Sequence, residues 1–470
     1  MPSPTMDMNS DDFQSIVEGL LLAVLLDRLP QKIGLRLWGG GKSISSDLRK
    51  PYTSDYEIKT QKALQYLPSM SISYLILSNI YSIIRDPQFK LFIDVRRALR
   101  KDFDDERKCF GSLHDIIPSG LEPEIRPKCS PRHTAAAIKI KIMLGDIQPE
   151  LLRDIVYGYI LPTQCNDKGW SKFEQCEKSD PLTTAHVLEA LHLMISKGIV
   201  KPNEREEFLK KIEEGITSLR NSFENNGNWW IVRPEVDSTK RLEQTALILG
   251  IFPYIYYYSE DLFELALHQI LKHTESSGWP PCPESRSRLD STIVVAWSLT
   301  RMRETLNQEL LRELVSQELF SRILDRAVQD LIAVKGLDSL TSLHFSFLMK
   351  TLYAHKKILI KNPLELLELS DRILDDAENG RLTESRLESY IKEHHAFILP
   401  YIRRWLRSFF VAAPPIPEQE RLLSVIEIAG ATHLKKLVKR LRELGLNCEI
   451  TSERHPKTRE LIFKVAITSY

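Results

Sequence analysis

One threonine recurs through the middle of this chain at the start of an apolar, helix-forming stretch, and its spacing limits the available folds more than any other feature. The stretches are SPRHTAAAIKIKIML from Ser130, DPLTTAHVLEALHLM from Asp180, KRLEQTALILGIFPYI from Lys240 and SRLDSTIVVAWSLTRM from Ser287. Their threonines are Thr134, Thr184, Thr245 and Thr292, separated by 50, 61 and 47 residues. A weaker copy, LDSLTSLHFSFLMKTL from Leu337, puts Thr341 a further 49 residues on. Such a period matches one helical hairpin per repeat.

Ser130-Pro131 and Asp180-Pro181 open two of these helices. The polar side chain can cap free N–H groups, and proline fits the first turn without losing a hydrogen bond. The helices are apolar on most faces, which suits an inner layer covered by other helices. Between them lie the charge-rich stretches PELLRDIVYGYIL, REEFLKKIEEGITSLRNSF, EDLFELALHQILKH and QELLRELVSQELFSRILDRAV, which read as an outer layer. Outer stretches run into turns that pair glycine with an aromatic: Gly169-Trp170, Asn226-Gly227-Asn228-Trp229-Trp230 and Gly278-Trp279. Glycine permits the left-handed backbone that ends a helix, and the indole can lock the turn against its neighbour.

Outer helix, glycine-aromatic turn, then an N-capped inner helix with its threonine: this order resembles the α/α-toroid repeat of squalene-hopene cyclase, oxidosqualene cyclase, class II diterpene cyclases and the β-subunits of protein prenyltransferases. The resemblance covers roughly residues 90 to 360, with five copies; a sixth comes from the first 90 residues or from 365 to 410. It implies a mainly α protein, an α/α toroid. The expected divisions are a helical N-terminal extension over 1–90, the toroid over 91–411, the linker AAPPIPEQE over 412–420 and a small α/β module over 421–470.

In the N-terminal part, helices are expected at Phe13 to Leu29, Tyr56 to Leu67 and Ser71 to Ile84. The GGGKS of Gly39 to Ser43 is not a phosphate-binding loop, because Arg36 stands where the pattern requires glycine and no buried strand precedes it. At the C-terminus, a β-branched run at Leu422 to Ile428, an amphipathic helix at Thr432 to Leu444, and strands at Asn447 to Thr451 and Glu460 to Ile467 spell a βαββ unit. Its helix carries Lys435, Lys436, Lys439, Arg440 and Arg442, read as a solvated face. No aromatic pair for stacking bases is visible in the first strand, so nucleic acid is not an expected partner.

The 64 basic and 63 acidic groups of the 470 residues leave a net charge of +1, which implies no polyanionic partner. The longest apolar run, Gly19 to Leu26, is too short to span a bilayer and follows acidic residues, so no membrane span is expected and the chain reads as cytoplasmic. Six cysteines, at 109, 129, 165, 176, 282 and 448, form no CxxC pair and are expected as reduced thiols.

The resemblance also says where chemistry would sit. In the cyclases, the middle aspartate of a D-x-D-D-T-A pattern at an inner-helix N-terminus protonates the substrate. The letters DFDD occur at Asp102 to Asp105, but in the outer-to-inner turn and with no T-A after them. The matching register is Arg288-Leu289-Asp290-Ser291-Thr292-Ile293, which makes Asp290 the candidate catalytic acid. The neighbouring Arg288 favours the ionised carboxylate, the wrong form for a proton donor, and the competing reading is a helix-capping aspartate paired with Arg288 or Arg286. The zinc site of the prenyltransferases would need a cysteine where Thr292 stands; His344 is the next histidine and Cys282 is out of register, so no metal or other cofactor is expected. Aromatics that could line a cation-guiding cavity are few, Trp297 and Phe345 among them.

The expected function is therefore non-catalytic binding or scaffolding. An apolar or anionic-headed ligand, isoprenoid-like or otherwise, or a protein tail would sit at the mouth formed by inner-helix N-termini, lined by Arg132, His133, Arg241, Arg286, Arg288, Trp297 and Phe345. The alternative is a divergent class II terpene cyclase using Asp290 on an isoprenoid. A third reading makes residues 421–470 the docking module of a multi-protein complex.

Overall fold

The computed structural model describes residues 10–26, 70–101, 103–110, 129–171, 178–224, 227–229, 241–306, 316–333, 340, 342–358, 360, 363–379, 381–394, 421–429, 447–454 and 461–469. The GGGKS loop, the helix expected at 56–67, Asp102, Trp230, Thr341, the 412–420 linker and the helix expected at 432–444 lie outside them.

The described chain is mainly helical. Inner-layer helices are α2 (Met70–Ile84), α4 (Pro131–Met143), α6 (Pro181–Ser196), α8 (Arg241–Ile251), α11 (Leu289–Thr305) and α13 (Ser342–Lys356). The others are α1 (Ser10–Leu25), α3 (Lys90–Lys101), α5 (Pro149–Ile155, continuing as a π turn over Val156–Ile160), α7 (Arg205–Glu224), the single turn α9 (Ile255–Tyr258), α10 (Glu260–Lys272), α12 (Gln317–Ile332), α14 (Pro363–Glu378) and α15 (Glu384–His394). No helix among the described residues is long and apolar enough to cross a membrane.

Inner helices pack in a cycle: α2 on α4, α4 on α6, α6 on α8, α8 on α11, α11 on α13, and α13 back on α2. Helix α2, which the sequence placed in the N-terminal extension, thus sits between the first and last threonine repeats. Outside this cycle, α7 packs on α6, α10 on α8 and α12 on α11. Helix α13 is covered by α1, on which α14 packs in turn. The apolar character of the inner helices follows from this double coverage: α4 is buried from His133 to Ile142, including Lys139 and Lys141.

The repeated threonine has a specific task. The backbone N–H of the turn aromatic donates to the threonine Oγ1 in four successive repeats: Phe110 to Thr134 at 3.1 Å, Trp170 to Thr184 at 2.9 Å, Trp229 to Thr245 at 3.0 Å and Trp279 to Thr292 at 3.0 Å. The indoles then tie the same turns to the preceding outer element, Trp170 Nε1 donating to the Ile160 carbonyl and Trp229 Nε1 to that of Leu219, both at 2.8 Å. A buried backbone N–H must find an acceptor, and the turn has no ladder to supply one. Glycine is required beside the clasp: Gly278 has φ +128° and a Cβ there would lie 2.1 Å from Thr292 Oγ1.

Of the DFDD letters, Phe103 to Asp105 fall in the first such turn. Phe103–Asp104 (β1) pairs antiparallel with Cys109–Phe110 (β2), and Asp105 is an exposed residue whose carboxylate takes Lys108 at 2.6 Å. The same hairpin corrects the expectation of reduced thiols: Cys109 is disulfide-bonded to Cys129, and Cys165 is also in a disulfide. The turn brings the Cα atoms of Cys109 and Cys129 to 5.8 Å, within bridging reach, although 20 residues separate them.

At the C-terminus, β3 (Arg421–Ala429), β4 (Asn447–Arg454) and β5 (Leu461–Ser469) form an antiparallel sheet in the order β3-β5-β4. Strands β3 and β4 therefore run parallel to each other on either side of β5, an arrangement that requires a crossover between them.

Candidate functional site

At the inner-helix N-termini, most of the basic residues singled out in the sequence are held by carboxylates. Arg132, at the start of α4, donates from Nη2 to Asp180 Oδ2 and from Nε to Thr183 Oγ1 at 2.9 Å. Asp180 meanwhile caps α6 by accepting from the N–H groups of Leu182 and Thr183. Arg241, opening α8, pairs with Glu284 at 2.6 Å, and this guanidinium holds the Glu284 carboxyl below its usual range. Arg288 forks onto Asp290, Nε to Oδ1 at 3.1 Å and Nη2 to Oδ2 at 2.9 Å, while the Ser291 N–H also donates to Oδ1. Asp290 itself is buried at 1% exposure. Ser291 extends the chain of contacts by donating to Glu243 of α8 at 2.9 Å. Arg286 is exposed, and His133 is buried among the first residues of α4.

Trp297 stands in the middle of α11 and Phe345 in the first turn of α13. Both are fully buried, and Trp297 lies inside the helix cycle, stacked on Phe347 of α13 at 4.0 Å with its indole N–H donating to Asn79 of α2 at 3.0 Å. Asn79 in turn donates to Ser346 at 3.2 Å. Three inner helices are thereby joined through one amide side chain.

Beside this aromatic seam is a buried ionic cluster that sequence reasoning missed. Lys139 of α4 donates to Glu189 Oε2 of α6 at 2.7 Å, approaches His186 Nδ1 at 2.7 Å and lies 4.0 Å from the ring centre of Tyr74 on α2. Glu189 Oε1 accepts from Tyr74 and from Arg301 of α11, both at 3.1 Å. Neither α2 and α6 nor α6 and α11 are neighbours in the packing cycle, so Glu189 bridges its interior. Burial brings Lys139 down to about 8, against the opposing pull of Glu189. Burial and then Lys139 hold His186 well below the usual histidine range, and burial together with Glu189 holds Tyr74 well above the usual tyrosine range. The cluster sets Lys139, Arg301 and the Tyr74 hydroxyl on the one side chain of Glu189, with the His186 ring against Lys139. Perturbed groups of this kind mark functional sites and structural ion networks alike.

A signal for this layer existed. Lys139, Glu189, Gly250, Trp297 and Ser346 each stand five residues after a repeat threonine, at 134, 184, 245, 292 and 341. That register points into the cycle. Gly250 is part of the fit, since a Cβ there would lie 2.6 Å from the Trp297 ring.

Among the described residues, the one grouping with metal-ligand character is Asp104, Cys109 and Cys129. Its two sulfurs are bonded to each other, which removes the thiolates a metal would need. Cys282 is a buried free thiol within 3.4 Å of Ser285 Oγ, and Thr292, at the zinc-ligand position of the resemblance, is occupied by the Trp279 clasp. Comparison with known protein families and with curated proteins returns no match for this chain.

Proposed function

We propose that this chain is a non-catalytic binding or scaffold protein built on an α/α toroid of the terpene cyclase and prenyltransferase kind, with a C-terminal βαββ module. The observation that carries the reading is the Arg288 fork on Asp290. Both carboxylate oxygens already accept from donors of the same chain, whereas a general acid must turn an oxygen towards its substrate. The cyclic packing of six inner helices supports the toroid. The Trp297–Asn79–Ser346 seam and the Glu189 cluster support a closed interior in place of a deep substrate channel.

At the mouth, the pairing of Arg132, Arg241 and Arg288 with Asp180, Glu284 and Asp290 leaves a nearly balanced surface. Such a surface suits a polypeptide segment with its own hydrogen-bonding groups better than a lone anion. The divergent-cyclase alternative keeps one argument: Asp290 is buried at the register where the resemblance places the acid.

The test is turnover. Purified full-length protein is incubated with prenyl diphosphates and isoprenoid epoxides, and products are sought by mass spectrometry. No product is expected; product that disappears in Asp290→Asn would establish the cyclase instead. Crosslinking of the full chain to interacting proteins, compared with an Arg286→Glu variant, tests the mouth as the docking face.

A further inference from the structure

The first clasped turn brings together three side chains with metal-ligand chemistry. Asp104 and Cys109 stand directly opposite each other in the β1/β2 hairpin, which puts both side chains on one face of the ribbon. Cys129 arrives from the other direction, immediately before Ser130, the N-cap residue of α4. The Asp104 carboxylate and the two sulfurs lie within 4.8 Å of one another. The sulfurs are bonded to each other, and Cys109 and Cys129 are buried at 0% and 2% exposure.

The bridge is not the only link holding these groups in place. Phe110, the neighbour of Cys109, donates its N–H to Thr134 Oγ1 of α4 at 3.1 Å, and its ring packs on Phe103 with centres 5.0 Å apart. The Thr134 N–H in turn donates to the Ser130 carbonyl at 2.9 Å, which fixes the chain beside Cys129. Hairpin and helix start are therefore joined without sulfur, and opening the bridge leaves two thiols side by side. Asp104 is oriented as well: its Oδ1 accepts from the Arg107 N–H at 3.1 Å, the kind of outer bond that aims a ligating carboxylate.

The donor set selects the ion. Two thiolates favour soft or borderline cations, and zinc accepts sulfur and carboxylate together. Tetrahedral zinc needs its donors about 3.5 Å apart, inside the 4.8 Å spread of this group. Three protein ligands leave the fourth position to water, and Asp104 is only half-buried, so solvent reaches the group from its side.

We propose that Asp104, Cys109 and Cys129 have two alternative states, a disulfide when oxidised and a Zn²⁺ site when reduced, the ion then tying the hairpin to α4 in place of the bridge. Reduction by a dithiol moves two electrons onto the bridge, yields two thiols and leaves the reductant as its own disulfide. Zn²⁺ then binds both sulfurs as thiolates and releases their two protons to solvent. The proposal goes beyond the binding or scaffold reading and does not depend on it.

The full-length chain, reduced with dithiothreitol and freed of it under nitrogen, is titrated with Co²⁺ as a spectroscopic stand-in for Zn²⁺. A near-ultraviolet thiolate-to-cobalt band is expected, bleached by added Zn²⁺ and missing from the unreduced chain. Asp104→Asn keeps an acceptor for the Arg107 N–H and is expected to weaken Co²⁺ about tenfold or more. Cys109→Ser and Cys129→Ser are expected to abolish the band, and Cys165→Ser to leave it unchanged. Zn²⁺ is also expected to raise the thermal unfolding midpoint of the reduced chain, as an ion bound to the folded state does. If the buried cysteine variants fail to fold, Asp104→Asn and the midpoint carry the test. A reduced chain that gives no band, a band lost in Cys165→Ser, affinity unmoved in Asp104→Asn, or a midpoint that Zn²⁺ does not raise each overturns the proposal.

Discussion

The threonine clasps and the layer five residues further along the same helices make an instructive pair. The clasp layer repeats the same bond four times, threonine accepting from phenylalanine once and from tryptophan three times, whereas the interior layer places lysine, glutamate, glycine, tryptophan and serine at one register. Sameness belongs to the part that builds each hairpin, because each turn faces the same problem of one buried N–H. Difference belongs to the part that faces the interior of the cycle, where a charge needs its opposite and a large ring needs a small residue beside it, as Lys139 meets Glu189 and Trp297 meets Gly250. The repeat thus specifies the hairpin, and its departures specify the ring.

Sharpest among the experiments on this contrast is Glu189→Gln. It keeps the shape and removes the one carboxylate between Lys139 and Arg301, so a loss of about 3–5 kcal/mol in denaturant unfolding is expected. A smaller loss breaks the clasp layer: Thr184→Val or Thr245→Val leaves a tryptophan N–H without its acceptor and is expected to cost about 1–3 kcal/mol. Near-equal losses at the two positions would support equivalence of the repeats; a loss at only one would break it.

The interior layer should also respond to pH where the clasps do not. Lys139 is lowered to about 8 in the folded chain against an ordinary 10.5, so the unfolded chain binds more protons between those values. Stability contributed by this group therefore rises as pH increases from about 8 towards 10, and the cost of burying its charge is fully present below 8. Tyr74, raised above 10 by burial, reverses the slope beyond that point, because there the unfolded chain loses its proton first. Lys139→Met should flatten the rise, measured as urea midpoints across pH 7 to 10. The smallest effect is expected for Arg132→Gln, about 1 kcal/mol, since Asp180 keeps its capping N–H donors and the pair is only partly buried.

What the sequence makes readable is local. Thr134, Thr184, Thr245 and Thr292 stand near the turns they bond, and Gly278 and Trp279 announce the turn by composition. The strands of the C-terminal sheet are likewise legible from their β-branched runs. The interior is not, because its bonds join distant residues: Asn79 reaches Trp297 across 218 residues and Ser346 across 267. The aromatic ring of Trp297 suggests a ligand in the sequence, but Phe347 and Asn79 of the same chain already occupy it. The mouth arginines stand at the helix ends expected of them, yet the carboxylate partner of Arg132 is a capping residue one repeat later, a pairing that periodicity alone does not reveal. The Cys109–Cys129 bridge escapes a reading based on cysteine spacing because a turn, and not the spacing, brings the two together.

The packing of α2 against both α4 and α13 has a consequence for how the chain reaches its native state. The seam through Asn79 cannot form until the ribosome has released residue 346, so every shorter nascent chain carries an open arc with the interior faces of its helices uncovered. Closing that arc brings together segments more than 260 residues apart, a late step whose loop entropy must be offset by packing that forms all at once. Closure is therefore a gate in time for one part of the interior only: the partners of Lys139 and Glu189 all lie between Tyr74 and Arg301 and can gather earlier, whereas Trp297 waits for Phe347 of α13.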